Sequence, residues 1–121
     1  MRKELAYVYI IDLAGELTSS VQDALLSASE QASNDGARVL VLNFSHLVYK
    51  NSSGLKSIVA LHSRCKAARQ HLFAVGLNPG YQKIFEVAQL NQGITVYASE
   101  AEALQAAHEL LAAPGVPLRT P

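Results

Sequence analysis

Disulfide bonds are the first feature that this sequence excludes. Cys65 is the single cysteine among 121 residues, so no intramolecular disulfide can form, and this usage is typical of proteins from a reducing cytosol. Hydrophobic residues make up 50% of the chain. A chain of this length and composition buries roughly two thirds of its surface without metal or disulfide support, which predicts one folded domain.

A charge excess of either sign is also missing. Ten lysines and arginines balance ten aspartates and glutamates, and the basic residues Arg64, Lys66 and Arg69 are the nearest approach to a cluster. A positive field that would attract nucleic acid is therefore not indicated, and we expect no nucleic-acid partner.

Long apolar runs are lacking as well. The stretch Leu5–Leu13 is shorter than a membrane span, is broken by Asp12, and is not followed by a small-residue cleavage site of the usual kind. We interpret it as a strand and expect a cytoplasmic protein without direct membrane insertion.

Clusters of metal ligands and catalytic groups are absent too. The histidines show no paired spacing, and His62 and Cys65, three residues apart, are only two ligands, which do not make a zinc site. Ser52 and Ser53 lie outside any Gly-x-Ser-x-Gly elbow. We therefore expect no metal, no cofactor, no catalytic residue and no enzyme activity.

The sequence does contain an alternation of strand and helix patterns. Strands are predicted over Ala6–Leu13, Arg38–Phe44, Leu72–Leu77 and Gly93–Tyr97. Amphipathic helix patterns lie between and after them. Because parallel neighbours need crossover helices, this order predicts an α/β domain with a mixed, mainly parallel sheet of four to five strands and about four helices. We expect the domain to span residues 1–113 and the proline-rich residues 114–121 to form a flexible tail.

The run Lys50-Asn51-Ser52-Ser53-Gly54-Leu55 lies where a buried strand pattern ends and a long helix pattern begins. The first N–H groups of a helix lack intrahelical partners and attract negative charge, so a phosphoryl group on a serine would find donors there. Asn and Ser are also the preferred N-caps of ordinary helices. Both interpretations stay open, and the following helix is expected to bury Ile58, Val59 and Cys65 among others.

Several segments together resemble a known family. In chain order they are Gly15-Glu16-Leu17, Val39–Phe44, Asn51–Leu55, Asn78-Pro79 with Ile84-Phe85 and Leu90, and Glu100–Leu104. Their order and spacing, from about Leu5 to Leu111, look like the STAS domain, the family of anti-sigma-factor antagonists and of sulfate-transporter cytoplasmic domains.

The resemblance implies a bacterial regulatory domain that acts in signal transduction and transcription control. Such a domain binds a serine-kinase anti-sigma factor and is released when that kinase phosphorylates it. The implied partners are the kinase and a matching phosphatase, and a homo-oligomer stays open. In the family's Asp-Ser-Ser/Thr-Gly motif the serine after the aspartate is the acceptor, which by position is Ser52, with Ser53 as the alternative. The implied partner-binding residues are Thr18, Asn51, Ser52, Ser53, Gly54 and Lys56.

An alternative function also fits the resemblance. The chain would then be a non-phosphorylated STAS interaction subunit, either a member of a signalling scaffold or a component associated with a transporter. In this alternative the serines of the run at residues 50–55 only cap the helix.

The sequence departs from the family pattern in three places. Asn51 stands where the family usually has aspartate, and Thr18 stands where it often has another aspartate, so two carboxylates are lost while good capping residues remain. Only residues 1–4 precede the first strong strand, where the family usually has a hairpin. We therefore expect a sheet edge that is missing or supplied by a partner.

Overall fold

Strands and helices alternate along the chain, as the sequence predicts. The structure, a computed structural model, describes residues 2–5, 7–16, 22–48 and 55–112. In chain order the elements are β1 (Arg2–Leu5), β2 (Val8–Glu16), α1 (Gln22–Asn34), β3 (Val39–Val48), α2 (Leu55–Ala67), β4 (His71–Val75), α3 (Pro79–Val87), a 3-10 turn (Leu90–Gln92), β5 (Ile94–Tyr97) and α4 (Glu100–Ala112).

The described strands form one five-stranded sheet whose order in space, β1-β2-β3-β4-β5, repeats their order in the chain. β1 runs antiparallel to β2, and every later neighbour pair is parallel. Each parallel step is made through a helix that crosses over the sheet, as parallel pairing requires. The predicted α/β fold with a mixed, mainly parallel sheet is therefore confirmed.

The expectation of a missing edge strand is wrong. β1 pairs with β2, with Arg2 opposite Ile10 and Leu5 opposite Val8. This strand is hard to recognise in the sequence because it consists mostly of charged residues, Arg2, Lys3 and Glu4. Charged side chains are common on edge strands, where they discourage pairing with other chains.

Helices cover both faces of the sheet, but unequally. One face carries the larger core, in which strand residues such as Leu40, Leu42 and Phe44 pack with residues of α1, α2 and α3. The other face carries a smaller core in which the strands contact Ala103 and Ala107 of α4. The run Val39–Leu42 is fully buried, which confirms that β3 is covered from two sides.

Two predicted details differ from the structure. β3 does not end at Phe44 but continues through exposed Ser45 and His46 and buried Leu47 to Val48, because backbone pairing with β2 extends beyond the continuous apolar run. On α2, Val59 is 42% exposed and does not join the core, whereas Leu61 is fully buried.

Candidate functional site

The carboxyl ends of β2 and β3 project beyond the rest of the sheet. Pairing between β2 and β3 continues to Glu16 opposite Val48. In contrast, pairing between β3 and β4 ends at Asn43 opposite Val75, and β5 also ends at this level. We call the projecting part, residues 13–16 with residues 44–48, the β2–β3 ribbon. Its β3 strand leads toward residues 49–54, and α2 begins just after them.

Asn43 fixes the base of the β2–β3 ribbon. Its Nδ2 donates a hydrogen bond to Asp12 Oδ1 at 3.0 Å, and its Oδ1 accepts one from the Ser45 backbone N–H at 3.0 Å. The register shifts here, because β2 advances from Asp12 to Ala14 while β3 advances from Asn43 to His46. The extra residue is a β-bulge, and the Asn43 amide satisfies a backbone group that the bulge removes from the ladder.

Gly76 holds the same bulge from the neighbouring connection. Its φ of +72° lies in the left-handed region, and a Cβ added there would lie 2.8 Å from the Ser45 backbone nitrogen and would also collide with Ser45 Oγ. Only glycine allows this backbone to approach the bulge so closely. The start of the ribbon is therefore held between the Asn43 side chain and the Gly76 main chain.

The first turns of α2 follow residues 49–54 directly. No acidic residue is present in the first turn, so no carboxylate there opposes the positive end of the helix dipole. Lys56 is exposed and Val59 is 42% exposed. In contrast, Ser57 is fully buried, and its hydroxyl oxygen has no hydrogen-bond partner. The entrance to α2 therefore combines a cation, an exposed apolar side chain and an unsatisfied hydroxyl.

The entrance to α3, by comparison, is closed by its own residues. The Tyr81 N–H donates to Asn78 Oδ1 at 3.0 Å, Pro79 occupies the first turn, and Gln82 Nε2 donates to the Leu77 carbonyl at 2.9 Å. The Asn78-Pro79 pair that contributes to the family resemblance is thus an ordinary cap with proline at the start of a helix.

Most of the predicted site residues are not among those that the structure describes. Thr18 and the run Asn51, Ser52, Ser53 and Gly54 lie outside the described ranges, so the roles assigned to them stay predictions. Lys56 is described and is exposed on α2. The structure thus gives the two flanks of the candidate site, the β2–β3 ribbon on one side and the first turns of α2 on the other.

The described residues offer little for other chemistry. They contain no group of three or more His, Cys, Asp or Glu side chains that could hold a metal ion. Burial raises the pKa of the Cys65 thiol to about 11, so at neutral pH little of the reactive thiolate is present. None of the helices within residues 22–34, 55–67, 79–87 and 100–112 combines the length and hydropathy of a membrane span.

Three residues that support the site were not found from the sequence. Asn43 interrupts the apolar run of β3, which is a visible signal of a buried polar role. Gly76 is visible as a glycine, but its contact with Ser45 depends on the register of three strands. Asp12 is 31 residues away from Asn43 in the chain, and nothing in the local pattern connects the two.

Comparison with known proteins gives one family over most of the chain. The STAS domain family matches residues 2–103. The anti-sigma factor antagonist SpoIIAA in its unphosphorylated form is similar, with 20% identity and a TM-score of 0.70, over 88% of this chain and 94% of that one. The phosphorylated form of the same Bacillus protein gives 20% identity and a TM-score of 0.66, over 88% and 96%.

A transporter relative shares the fold as well. A sulfate transporter family protein from Wolinella succinogenes is 14% identical, with a TM-score of 0.76, over 88% of this chain and 89% of that one. At these identities the structural likeness establishes the fold, and the match to residues 2–103 establishes the family.

Proposed function

Because this chain belongs to the STAS domain family, we propose that it is a regulatory binding domain of the anti-sigma-factor antagonist kind. In this proposal it binds a serine-kinase anti-sigma factor in the bacterial cytoplasm and performs no catalysis itself. The kinase transfers the γ-phosphoryl group of ATP to Ser52 Oγ, which loses its proton, and ADP leaves. Ser53 is the alternative acceptor. The binding domain spans residues 1–113, and residues 114–121 are a flexible tail.

The observation that carries this proposal is the rigid support of the β2–β3 ribbon. Asn43 is 7% exposed and is bonded to both Asp12 and Ser45, and Gly76 packs against Ser45 from the other side. Function in sheets of this type sits outside the carboxyl ends of the strands. A firmly held ribbon that leads into residues 49–54 is suited to presenting them to a partner.

The charges near the entrance to α2 also support a phosphorylation switch. A phosphoserine adds roughly −1.5 to −2 charges and three acceptor oxygens. The first turn of α2 has no acid of its own, and Lys56 is exposed two residues into the helix, so the new charge can be held locally. A partner surface fitted to neutral serines would then face a dianion. About 1.4 kcal/mol of repulsion or desolvation already lowers affinity tenfold.

Mass spectrometry after incubation with a kinase tests the proposal. The chain is incubated with ATP and the serine-kinase anti-sigma factors of its source cell, alongside the variants Ser52→Ala and Ser53→Ala. We expect one phosphate on the parent chain and on Ser53→Ala, and none on Ser52→Ala. Absence of phosphate at both serines with every kinase that binds the chain would contradict the switch.

Binding measurements test the consequence of the added charge. Calorimetric titration with the anti-sigma factor should show at least tenfold weaker binding for Ser52→Asp than for the parent chain. Ser63→Asp is the matched control, because it adds the same charge to an exposed position further along α2. Equal affinities for the two variants would argue against a charge-sensitive surface at residues 49–54.

A second candidate is a STAS interaction subunit that is never phosphorylated. Two observations favour it: Asn51 replaces the family's usual aspartate, and the Wolinella succinogenes sulfate transporter family protein has the same fold. Here Ser52 only caps α2, so Ser52→Ala should cost about 1 kcal/mol of unfolding free energy. Ser52→Asp should then bind the partner with unchanged affinity.

A further inference from the structure

A polar cleft lies at the edge of the sheet opposite the candidate site. Its volume is about 440 Å³, and it opens between the second half of α2 and the turn before β5. His62 and Lys66 line it from α2, Gln89 and Gln92 line it from the turn, and Leu72 at the start of β4 adds a buried apolar wall. Because β4 starts here, the cleft faces the amino ends of the strands, away from the β2–β3 ribbon.

The charge of this lining is of one sign. Lys66 carries a positive charge, the His62 imidazole offers a hydrogen-bond donor, and none of the side chains that line the cleft is acidic. Among the interactions of the described residues, neither His62 nor Lys66 takes part in an ion pair or a side-chain hydrogen bond. A second groove, beside α4, is instead lined by Glu102 and Glu109. The α2 cleft is therefore the one of the two that suits an anion.

The uncharged polar side chains of the cleft are three glutamines, which can donate and accept hydrogen bonds. Gln70 Nε2 donates to Ser33 Oγ at 2.8 Å and to the Ala37 carbonyl at 2.9 Å. These two hydrogen bonds fix the orientation of the Gln70 side chain. Its Oε1 is an acceptor suited to a ligand hydroxyl. Gln89 and Gln92 add further amide donors and acceptors.

The backbone around the cleft makes room for the His62 ring. A Cβ added to Gly93 would collide with the Nε2 and Cε1 atoms of the His62 imidazole. The ring therefore uses space that any larger residue at position 93 would occupy. Gln89, with a φ of +58°, follows the C-cap Ala88 of α3 in the left-handed conformation that commonly ends a helix, and it lines the cleft from this position.

From this arrangement we propose that the cleft binds a small organic anion that also carries hydroxyl groups. Lys66 and His62 contact the phosphate or carboxylate, and the glutamine side chains exchange hydrogen bonds with the hydroxyls. A volume of about 440 Å³ exceeds what a bare inorganic anion needs and is in the usual range of small-molecule sites. The site is separate from the proposed partner surface, so it does not depend on the proposed function.

Titration of the isotope-labelled full chain by NMR tests this inference. The probes are glucose 6-phosphate, gluconate, inorganic phosphate and uncharged glucose. We expect saturable chemical-shift changes of the backbone amides of residues 62–72 and 89–93 with glucose 6-phosphate or gluconate. The ligand that binds with the higher affinity shows whether the cleft prefers a phosphate or a carboxylate. Inorganic phosphate should bind at least tenfold more weakly, and glucose should give no saturable shift.

Three variants decide whether the shifts come from this cleft. Lys66→Gln should weaken binding about tenfold, and Gly93→Ala should weaken it by turning the His62 ring. The backbone of Gly93, with φ −120°, accepts alanine, and unfolding curves check that both variants fold. Lys83→Gln removes an equal charge from exposed α3 and should bind like the parent chain. The inference is overturned if no organic anion saturates, if glucose binds as well as the anions, or if Lys66→Gln and Lys83→Gln behave alike.

Discussion

The two halves of β3 are covered and held differently. The first half, Val39–Leu42, consists of aliphatic residues that are fully buried between helices on both faces. The second half, residues 43–48, buries Phe44 and Leu47 in the larger core but also contains a buried side-chain amide, a bulge and exposed Ser45 and His46. The first half stabilises the fold through apolar burial on both faces, whereas the second combines apolar burial on one face with a few directional contacts. Substitutions in the two halves should therefore fail for different reasons.

A large loss of stability is expected in the first half, where both faces of β3 are covered. Leu42 is fully buried, so Leu42→Ala should lower the free energy of unfolding by about 2–5 kcal/mol through lost burial and a remaining cavity. Urea denaturation followed by circular dichroism measures the loss. Val59→Ala is the control, because Val59 is 42% exposed and should change stability by about 0.5 kcal/mol or less. Similar losses for the two variants would remove the basis of the comparison.

The second half should depend on the backbone of Gly76. Gly76→Ala forces an alanine into a positive φ, at a cost of about 1–3 kcal/mol, and it also displaces Ser45. Gly36→Ala is a matched control, because Gly36 also has a positive φ, of +92°, while its added Cβ would meet only the Tyr7 ring at 3.8 Å. Denaturation should show the larger loss for Gly76→Ala. Equal losses would mean that the contact with Ser45 contributes nothing.

The fold could be predicted because its signals are local. Val39–Leu42 is apolar on both faces, and helix patterns separate it from the strands before and after it, so the parallel sheet follows directly. The edge strand β1 was missed because Arg2, Lys3 and Glu4 give no apolar alternation. The sequence places the end of β3 too early because Ser45 and His46 interrupt the apolar run, although pairing with β2 resumes at His46 after the bulge.

The site was predictable only in part, because its contacts are not local. The family pattern indicates the position of Ser52, but the residues that support the β2–β3 ribbon come from different strands. Asp12 and Asn43 meet only once β2 and β3 are in register. The contact between Gly76 and Ser45 also requires β3 and β4 to be in register. No periodicity in one segment can report such contacts.

A charge change at Asn43 should show how the second half is held. Asn43→Asp replaces the Nδ2 donor with an oxygen that faces the Asp12 carboxylate, so at pH 7 we expect a loss of about 1–3 kcal/mol. Repulsion raises the pKa of this carboxylate pair above its value in the unfolded chain. The penalty should therefore be small near pH 4, where a shared proton restores a donor, and should grow as the pH rises through the raised pKa.

Urea midpoints of Asn43→Asp at pH 4 and pH 7 measure this effect. Asn91→Asp is the control, since Asn91 is exposed in the 3-10 turn and its replacement should have no comparable pH dependence. A loss for Asn43→Asp that is equal at the two pH values would show that the amide acts through packing and not through its hydrogen bonds.

The smallest effect is expected at Ser57, and it should have the opposite sign. Its hydroxyl is fully buried without a hydrogen-bond partner, so Ser57→Ala removes an unsatisfied polar group and introduces a better helix former. We expect a gain of about 1 kcal/mol in urea denaturation. Ser29→Ala is the matched control, because the buried Ser29 hydroxyl donates to the Leu26 carbonyl at 2.9 Å and its loss should bring no such gain.

A loss of stability in Ser57→Ala would mean that the Ser57 hydroxyl has a hydrogen-bond partner in solution. The entrance to α2 would then be held by directional contacts, like the second half of β3. A gain would instead show that the chain keeps a destabilising hydroxyl near the proposed partner surface. The affinity of Ser57→Ala for the anti-sigma factor would then show whether this hydroxyl contributes to partner binding.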